Sequence, residues 1–359
     1  MYSLNRRAWV DIDLGALSRN ATVAAAHAGV PLLPMVKADA YGLGAVAVAR
    51  ALDRLEPWGF GVATIPEGEE LRHAAITRPI VVFTPLLVGD FDAAARAGLT
   101  PTLGDRRAIE RWKETGLPWH LAVDTGMSRA GIQWNEIDSI LELLAPEPPQ
   151  GVFTHFHSAE LRDGSRDVQE QRFEAVLSRL PVRPPMVHAE NSPALQHGER
   201  SRWSVVRPGI FLYGIGGGTD PRVVPEPVVS LRCRIIDLRT IEPGETVSYG
   251  ATHRVTSRRR IATVGVGYAD GYRRVLGNRA SALLHGRRVP VVGVVTMDMT
   301  MLDVSSVQCE IGDIVTLIGR DGDDAIDVSE LATVGDISPY ELLTGLRARL
   351  PRRYVEAEP

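Results

Sequence analysis

The chain has 359 residues, 44% of them apolar and 23% charged, which is ordinary globular material long enough for about two domains. A formal net charge of −4 leaves no electrostatic case for nucleic acid or an anionic membrane as partner. Two cysteines, Cys233 and Cys309, imply neither a disulfide framework nor a zinc site. The N-terminus lacks a continuous apolar leader and no later run is long enough to span a bilayer, so the chain is expected to be cytoplasmic. The Arg258–Arg260 triplet and the arginines of 347–353 read as solvated faces.

In chain order, the first two-thirds alternates short apolar runs with longer amphipathic ones. Strands are predicted at 32–37, 59–63, 80–83, 100–103, 120–124, 151–155, 186–189 and 204–209. Helical patterns lie between most of them, at 65–75, 106–115, 136–144 and 167–180. Eight strands alternating with helices over roughly two hundred residues fit a (β/α)8 TIM-type barrel, with a doubly wound sheet as the alternative. Near Gly216–Gly218 the helical periodicity fades. Short alternating runs follow, at 229–238, 261–266, 282–284, 289–295, 299–304 and 314–317, which suggests a β-rich C-terminal domain. The expected division is α/β: a barrel over 12–224, then a β-rich domain over 225–359 that the strand-like N-terminal segment 1–11 joins.

The organising stretch is PLLPMVKADAYGLG, residues 31–44. An apolar run stops at Lys37, a Gly-containing turn follows, and AVAVARAL then reads as a helix. A lone lysine after a strand is more often a surface ammonium or an ion-pair partner. Here the predicted rim adds others: Asp124 leading to Arg129, then His155, then Asn191 with Ser192, then Arg207. Barrel enzymes draw catalytic groups from the ends of several strands. A lysine, a histidine, two arginines and Gly-rich turns suit an anionic, phosphate-bearing cofactor bonded to lysine. Pyridoxal 5'-phosphate meets that description, with Ser192 and the backbone at Gly209 and Ile210 in the usual barrel phosphate position.

VKADAYGLG (36–44) resembles the cofactor-lysine signature of alanine racemases, the fold-type III pyridoxal phosphate enzymes. Further motifs follow in the same order: DTGMSRAGI (124–132), THFHSAE (154–160), HAENS (188–192), VVRPGIFLYG (205–214), VSYGATH (247–253), GYADGY (267–272), TMDM (296–299) and RLPR (349–352). Each is weak alone, but the ordered set is specific and spans nearly the whole chain. The resemblance implies a (β/α)8 barrel followed by a β domain, and an isomerase interconverting L- and D-alanine by two-base proton transfer on a pyridoxal phosphate Schiff base.

It also implies roles. Lys37 carries the cofactor and is one base. Tyr249 is the other, reaching the site of the opposite subunit of a homodimer. Arg207 faces the pyridine nitrogen, and His155 pairs with that arginine and the tyrosine. Tyr41, Ser192, Gly209 and Ile210 hold the phosphate. Arg129 holds the substrate carboxylate or the cofactor's ring oxygen, the Met297 backbone N–H meets the substrate carboxylate, and Asp298 and Tyr268 line the entrance.

Several positions depart from the pattern. Ser128 stands where glycine is usual, Ala122 where many members carry lysine or asparagine, and Glu190 where a small residue is usual. His157 is an extra ring, and Ala348 occupies the place of a phosphate-binding or gate tyrosine. These changes leave the bases intact but touch substrate and phosphate contacts. A racemase of serine or another amino acid, and a pyridoxal phosphate-binding protein without turnover, are therefore the alternatives.

Overall fold

The computed structural model describes residues 7–216 and 220–356. Of the linker expected at Gly216–Gly218, Gly217 and Gly218 lie outside the described residues. The described chain divides into two compact units. One comprises Leu17–Ala40 and Gly44–Glu226; the other comprises the chain up to Ala16, Tyr41–Leu43, and the chain from Pro227 onward.

The first unit is a (β/α)8 barrel. Six parallel strands stand side by side in chain order: Phe60–Val62, Ile80–Val82, Thr100–Leu103, His120–Asp124, Gly151–Phe153 and Met186–His188. The staves expected at 32–37 and 204–209 close the ring as isolated parallel bridges, Leu32 with Val206 and Met35 with Gly61, not as regular ladders. The sequence supplies the reason. Pro34 and Pro208 have no N–H to donate, so the ladder is broken at both. The remaining bonds are made in full. Leu33 donates to the Val206 carbonyl at 2.8 Å, Met35 to Pro208 at 2.9 Å, Val36 to Gly61 at 2.8 Å, and Ser204 to Val187 at 2.8 Å. Closure rules out the doubly wound alternative, which has open edges. Gly61 lets Met35 pack closely at the seam, since a Cβ there would lie 2.5 Å from the Met35 sulfur and push that side chain aside.

Between the staves run Ile65–His73, Arg106–Lys113 and Ser165–Arg179, within a few residues of expectation. The pattern at 136–144 is a 3₁₀ turn, Ile137–Ile140, running into a single α-turn, Leu141–Leu144. Leu14–Ala28 and Phe91–Arg96 are additional helices that the strand-centred reading passed over. Among the described residues no helix is long and apolar enough to cross a membrane.

The second unit is built on a nine-stranded sheet whose spine is Val229–Ile241, a 13-residue strand with alternate side chains buried over its first half. It pairs with Ala8–Asp13 and Ile314–Asp321 along that half, and with Arg259–Val264 along the other. Ser281–Leu284, Arg287–Pro290, Thr300–Asp303, Asp324–Ile326 and Arg352–Val355 complete the neighbourhood. The run expected at 289–295 is a regular strand only as far as Pro290; beyond it Val291 N–H donates to Ala280, Val292 N–H donates to Met301, and Val291 makes an isolated bridge with Leu302. Two short helices, Val328–Gly335 and Pro339–Thr344, were not foreseen.

Inside the barrel, two strands place histidines face to face. His120 Nδ1 and His188 Nε2 are 2.9 Å apart and both rings are fully buried. His188 stacks on Phe153 with centroids 5.1 Å apart and planes 9° from parallel. Burial pushes His120 down to about 3 and His188 well below the ordinary histidine value of 6.5, with the Arg207 charge adding to both. In the unfolded chain both rings take up protons near pH 6.5, whereas in the fold they stay neutral. Stability from this pair is therefore complete above about pH 6.5 and declines as the pH falls below it, because the unfolded chain takes up the protons that the folded rings refuse. Urea unfolding at pH 6.5 and 5.0 is expected to show this slope, and the His120→Leu/His188→Leu variant to flatten it. An unchanged slope in that variant would mean that the pair is charged in the native state.

Candidate active site

Lys37 ends the first stave and is followed by a backbone that few sequences adopt. Ala38, Asp39, Ala40 and Tyr41 all have φ between 51° and 57°, and Gly42 has φ 86°, so Lys37–Gly42 is a turn of left-handed helix. Each non-glycine residue there costs about 1–2 kcal/mol. Neighbours offset the strain: the Ala38 N–H donates to Glu67 Oε1 at 2.8 Å, and the Asp39 side chain accepts from Ala45 N–H at 2.7 Å. Glu67 also accepts from Ala63 and Thr64 N–H, closing a capping box on the helix Ile65–His73. Its sequence signal, Thr64 followed three residues later by Glu67, was available but went unread.

Arg207 is the hub of the barrel interior. It is 3% exposed. Its Nη2 donates to the carbonyls of Thr154 at 2.8 Å and Ala189 at 3.0 Å, and its Nη1 lies 2.8 Å from His188 Nδ1. His155 Nδ1 is 3.4 Å from Nη2. Phe153 and Phe83 lie against the guanidinium. Burial lowers Arg207 to about 9, which leaves it protonated at neutral pH. Arginine is only a donor, so each imidazole nitrogen facing it must be an acceptor. His155 is accordingly held neutral, pushed down to about 3 by burial and then by the charges of Arg207, Arg129 and Lys37. The His188 contact was missed from sequence: HAENS was noticed as a motif, yet nothing local says that its first ring turns inward.

Lys37 is lowered from the ordinary lysine value by burial, then by Arg129, with Arg207 adding and Glu67 opposing. Three cations thus face one neutral histidine. Such a concentration of positive charge, with Arg207 buried, Lys37 half-buried and Arg129 exposed, suits an anionic group.

Ser192 opens the helix Ser192–His197, and Asn191 caps it by accepting from Ala194 N–H at 3.1 Å. The buried Ser192 Oγ accepts from Gly209 N–H at 2.8 Å and Phe211 N–H at 3.3 Å. With both lone pairs engaged, its proton is free to donate to a third group, as a phosphate oxygen requires. The Gly209 N–H is already used by Ser192, whereas the Ile210 N–H has no acceptor among the described residues. Glu190 turns away from this corner. Its carboxylate meets Arg166 at 3.0 Å, and Arg166 also holds Glu170. The extra His157 is likewise directed elsewhere, toward Ser158 at 2.8 Å.

Arg129 stands exposed on the loop after His120–Asp124, with no hydrogen bond or ion pair among the described residues. Asp124 Oδ1 closes that loop by accepting from Gly126 and Ser128 N–H at 2.9 and 3.1 Å. Ser128 has φ 54°, so the backbone keeps the left-handed form that a glycine would adopt freely. At Gly131, φ 107°, a Cβ would lie 2.8 Å from the Ala122 carbonyl, which makes glycine obligatory.

The other expected residues lie in the second unit. Tyr41 is buried there, its ring 5.9 Å from that of Tyr340, and burial raises its phenol. Tyr249 is 74% exposed on a short turn flanked by Ser248 and Ala251, both at positive φ. The Ser248 hydroxyl anchors the turn to the Val294 carbonyl at 2.7 Å. A groove of about 660 Å³ beside it is lined by Val247, Ile261, Met299 and Met301 among others. Tyr268 and Met297 belong to two touching turns, where Tyr268 N–H donates to Thr296 and Ala269 N–H to the Met297 carbonyl, both at 3.0 Å. The Met297 N–H has no acceptor among the described residues. Asp298 pairs with Arg349 at 2.6 Å.

Comparison with known proteins agrees with this geometry. The alanine racemase N-terminal domain family matches residues 12–216, and the alanine racemase C-terminal domain family matches residues 228–354. The chain is 38% identical to the alanine racemase of Symbiobacterium thermophilum over 97% of each chain. It is 34% identical to that of Halothermothrix orenii, over 98% of this chain and 97% of the relative. Among solved structures it resembles alanine racemase from E. faecalis, with TM-score 0.92, 30% identity and 98% of both chains covered. It also resembles the Bartonella henselae enzyme with covalently bound pyridoxal phosphate, with TM-score 0.90, 28% identity, 98% of this chain and 100% of that one. The ordered motifs, the closed barrel with its lysine and buried arginine, and the strand-rich second unit all follow from one ancestry: the chain belongs to the alanine racemase family.

Proposed function

We infer that this chain interconverts L- and D-alanine, with pyridoxal phosphate held at Lys37. The observation that carries the reading is buried Arg207, bonded to the Thr154 and Ala189 carbonyls and facing His188 and His155 inside the barrel whose first stave ends at Lys37, a cation that suits an anionic cofactor. Pyridoxal phosphate, when bound, supplies the electron sink that makes an amino acid's α-proton removable. Ser192, itself held by the Gly209 N–H, and the Ile210 N–H would hold its phosphate, and Arg207 would face its ring nitrogen.

Racemisation removes the α-proton from one face and returns one on the other, so two bases must flank the α-carbon. Lys37 serves one face. Its lowered pKa makes the neutral amine available nearer to neutral pH than in an ordinary lysine. Tyr249 serves the other. Arg207 stays protonated and cannot readily hand over a proton as a carboxylic acid could, so it orients and polarises without exchanging. Neutral His155 accepts a hydrogen bond from Arg207 and adds no further positive charge. Arg129 and the Met297 N–H receive the substrate carboxylate, while Tyr268 and Asp298 line its approach.

Exposed Tyr249, Met299 and Ile236 border the groove of the second unit. An apolar rim around a would-be base supports a homodimer in which Tyr249 completes the partner's site. The barrel domain is taken as 12–224 and the β-rich domain as 225–359 with 1–11, and the dimeric enzyme is placed in the cytoplasm.

Two outcomes are expected. In deuterated water with pyridoxal phosphate, L-alanine should give D-alanine labelled at the α-carbon. Lys37→Ala should lose both exchange and covalently held cofactor, whereas Tyr249→Phe should keep the cofactor and lose racemisation by about 10²–10⁴-fold. Deuterated D-alanine from Tyr249→Phe at an unchanged rate would sink the base assignment, and inversion of serine instead of alanine would favour the alternative substrate. Mixing inactive Lys37→Ala with inactive Tyr249→Phe should restore about a quarter of the activity, because half of the dimers then carry one intact site of two. No recovery after subunit exchange would refute sharing.

A further inference from the structure

Three motifs of the second unit, GYADGY, TMDM and RLPR, meet at a charge cluster that the proposed chemistry does not use. Asp270 lies at its centre and is 0% exposed. Its Oδ1 meets Arg7 Nη2 at 2.9 Å and Arg349 Nε at 3.3 Å, and its Oδ2 accepts from Gly267 N–H at 3.0 Å. The two arginines then reach outward. Arg349 Nη2 holds Asp298 Oδ1 at 2.6 Å, and Arg7 donates to the Asp298 carbonyl at 3.1 Å and to the Gly265 carbonyl. The Asp270 carbonyl accepts from Arg347 N–H at 3.0 Å, which ties the RLPR segment back to the cluster.

The turns around this hub have no slack. A Cβ at Gly267 would lie 2.3 Å from the Thr296 carbonyl, and one at Gly271, φ 110°, would lie 2.3 Å from the Gly345 carbonyl. Hydrogen bonds from Tyr268 to Thr296 and from Ala269 to Met297 lock the first two turns edge to edge. The position and direction of the unpaired Met297 N–H are therefore set by where Arg349, Arg7 and Asp270 hold the 265–272 and 296–299 turns. Charge matters too. Asp298 follows Met297 directly, and its carboxylate would repel an incoming carboxylate unless Arg349 cancels it.

We propose that Arg349, fixed by the buried Asp270, is a positioning residue for the substrate carboxylate. It orients the Met297 N–H and neutralises Asp298 at the approach to it. Bidentate reach is what arginine contributes, since Nε and Nη2 serve two different carboxylates at once and a lysine ammonium cannot match that fork. This rests on the reading of Met297, Asp298 and Tyr268 as substrate contacts.

The test compares Arg349→Met, Arg349→Gln and Arg349→Lys holoenzymes by KM and kcat for both alanine enantiomers, alongside cofactor content and thermal unfolding. The expected result is a KM raised about tenfold for both enantiomers in Arg349→Met, with kcat within about threefold and cofactor content unchanged. Arg349→Lys should fall between, and adding Asp298→Asn to Arg349→Met should lower KM again by removing the uncompensated charge. Should Arg349→Met not fold, Arg349→Gln carries the same comparison. An unchanged KM, or a kcat loss that tracks lost cofactor, overturns the proposal. Tyr268→Ala and Met297→Pro separate the two levels. If they raise KM while the Arg349 variants do not, only the positioning role fails; if none of them moves KM, the reading of these turns as the substrate site fails with it.

Discussion

A buried guanidinium with no carboxylate against it is the constraint around which the barrel interior is arranged. Removing such a charge from water costs several kcal/mol unless its donors are satisfied. Arg207 meets two carbonyls, His188 and His155. Because arginine only donates, the chain of contacts has one polarity. His188 Nδ1 accepts from Arg207, so its Nε2 carries the proton and donates to His120 Nδ1. Two barrel histidines thus have their tautomers fixed by a residue that never titrates near neutrality. A carboxylate in the same place would give a more comfortable ion pair and a different enzyme, with a group able to give and take a proton at the cofactor ring.

A second concentration of free energy sits beside it. Four successive non-glycine residues in the left-handed region represent on the order of 4–8 kcal/mol of local strain. Such a turn persists only where surrounding contacts over-determine it. Glu67, Asp39 and the Val36 carbonyl do so from the barrel side, the last accepting from Ala40 N–H at 2.9 Å. Arg352, donating to the Gly42 carbonyl at 2.7 Å, and the Tyr354 hydroxyl on Leu43 do so within the other unit. The consequence for Lys37 is a fixed Cα–Cβ direction at the end of a stave, the kind of preorganisation that makes a proton transfer effectively intramolecular.

What was legible in the sequence follows from the range of the interactions involved. Barrel staves such as His120–Asp124 and Thr100–Leu103 are short apolar runs between amphipathic ones, and periodicity finds them. Periodicity could not show that Pro34 and Pro208 reduce the two closing staves to bridges, because that depends on which neighbour each N–H would have met. Nor could it show the left-handed turn: KADAY contains good helix formers and nothing that requires positive φ. Glu190 looked repulsive to a phosphate while its partner Arg166, 24 residues away, was unknown. Ser128 looked like a loss and proves to hold the same backbone as the glycine it replaces. His188 and Asp270 were inside quoted motifs, yet their importance lies in partners scattered across the chain. Local rules name the residue types, and tertiary contacts decide which way they face.

The exposed position of Tyr249 gives the last step of the argument. A phenol in water is a poor base near neutral pH, since its reference pKa is about 10. Proton abstraction from carbon needs a site from which water is excluded. A turn that leaves the ring 74% exposed excludes no water within its own unit. The turn is nonetheless rigid: positive φ at Ser248, Gly250 and Ala251 and the Ser248 bond to Val294 hold it, so the ring is presented and not merely loose. A rigidly presented, uncovered phenol beside Met299 and Met301 of the same groove is suited to meeting another surface. For a closed dimer the simplest such surface is the barrel mouth of a second copy, where cationic Arg207 and Lys37 would stabilise a phenolate. The exposure of Tyr249 in the single chain thus supports a working unit larger than one chain.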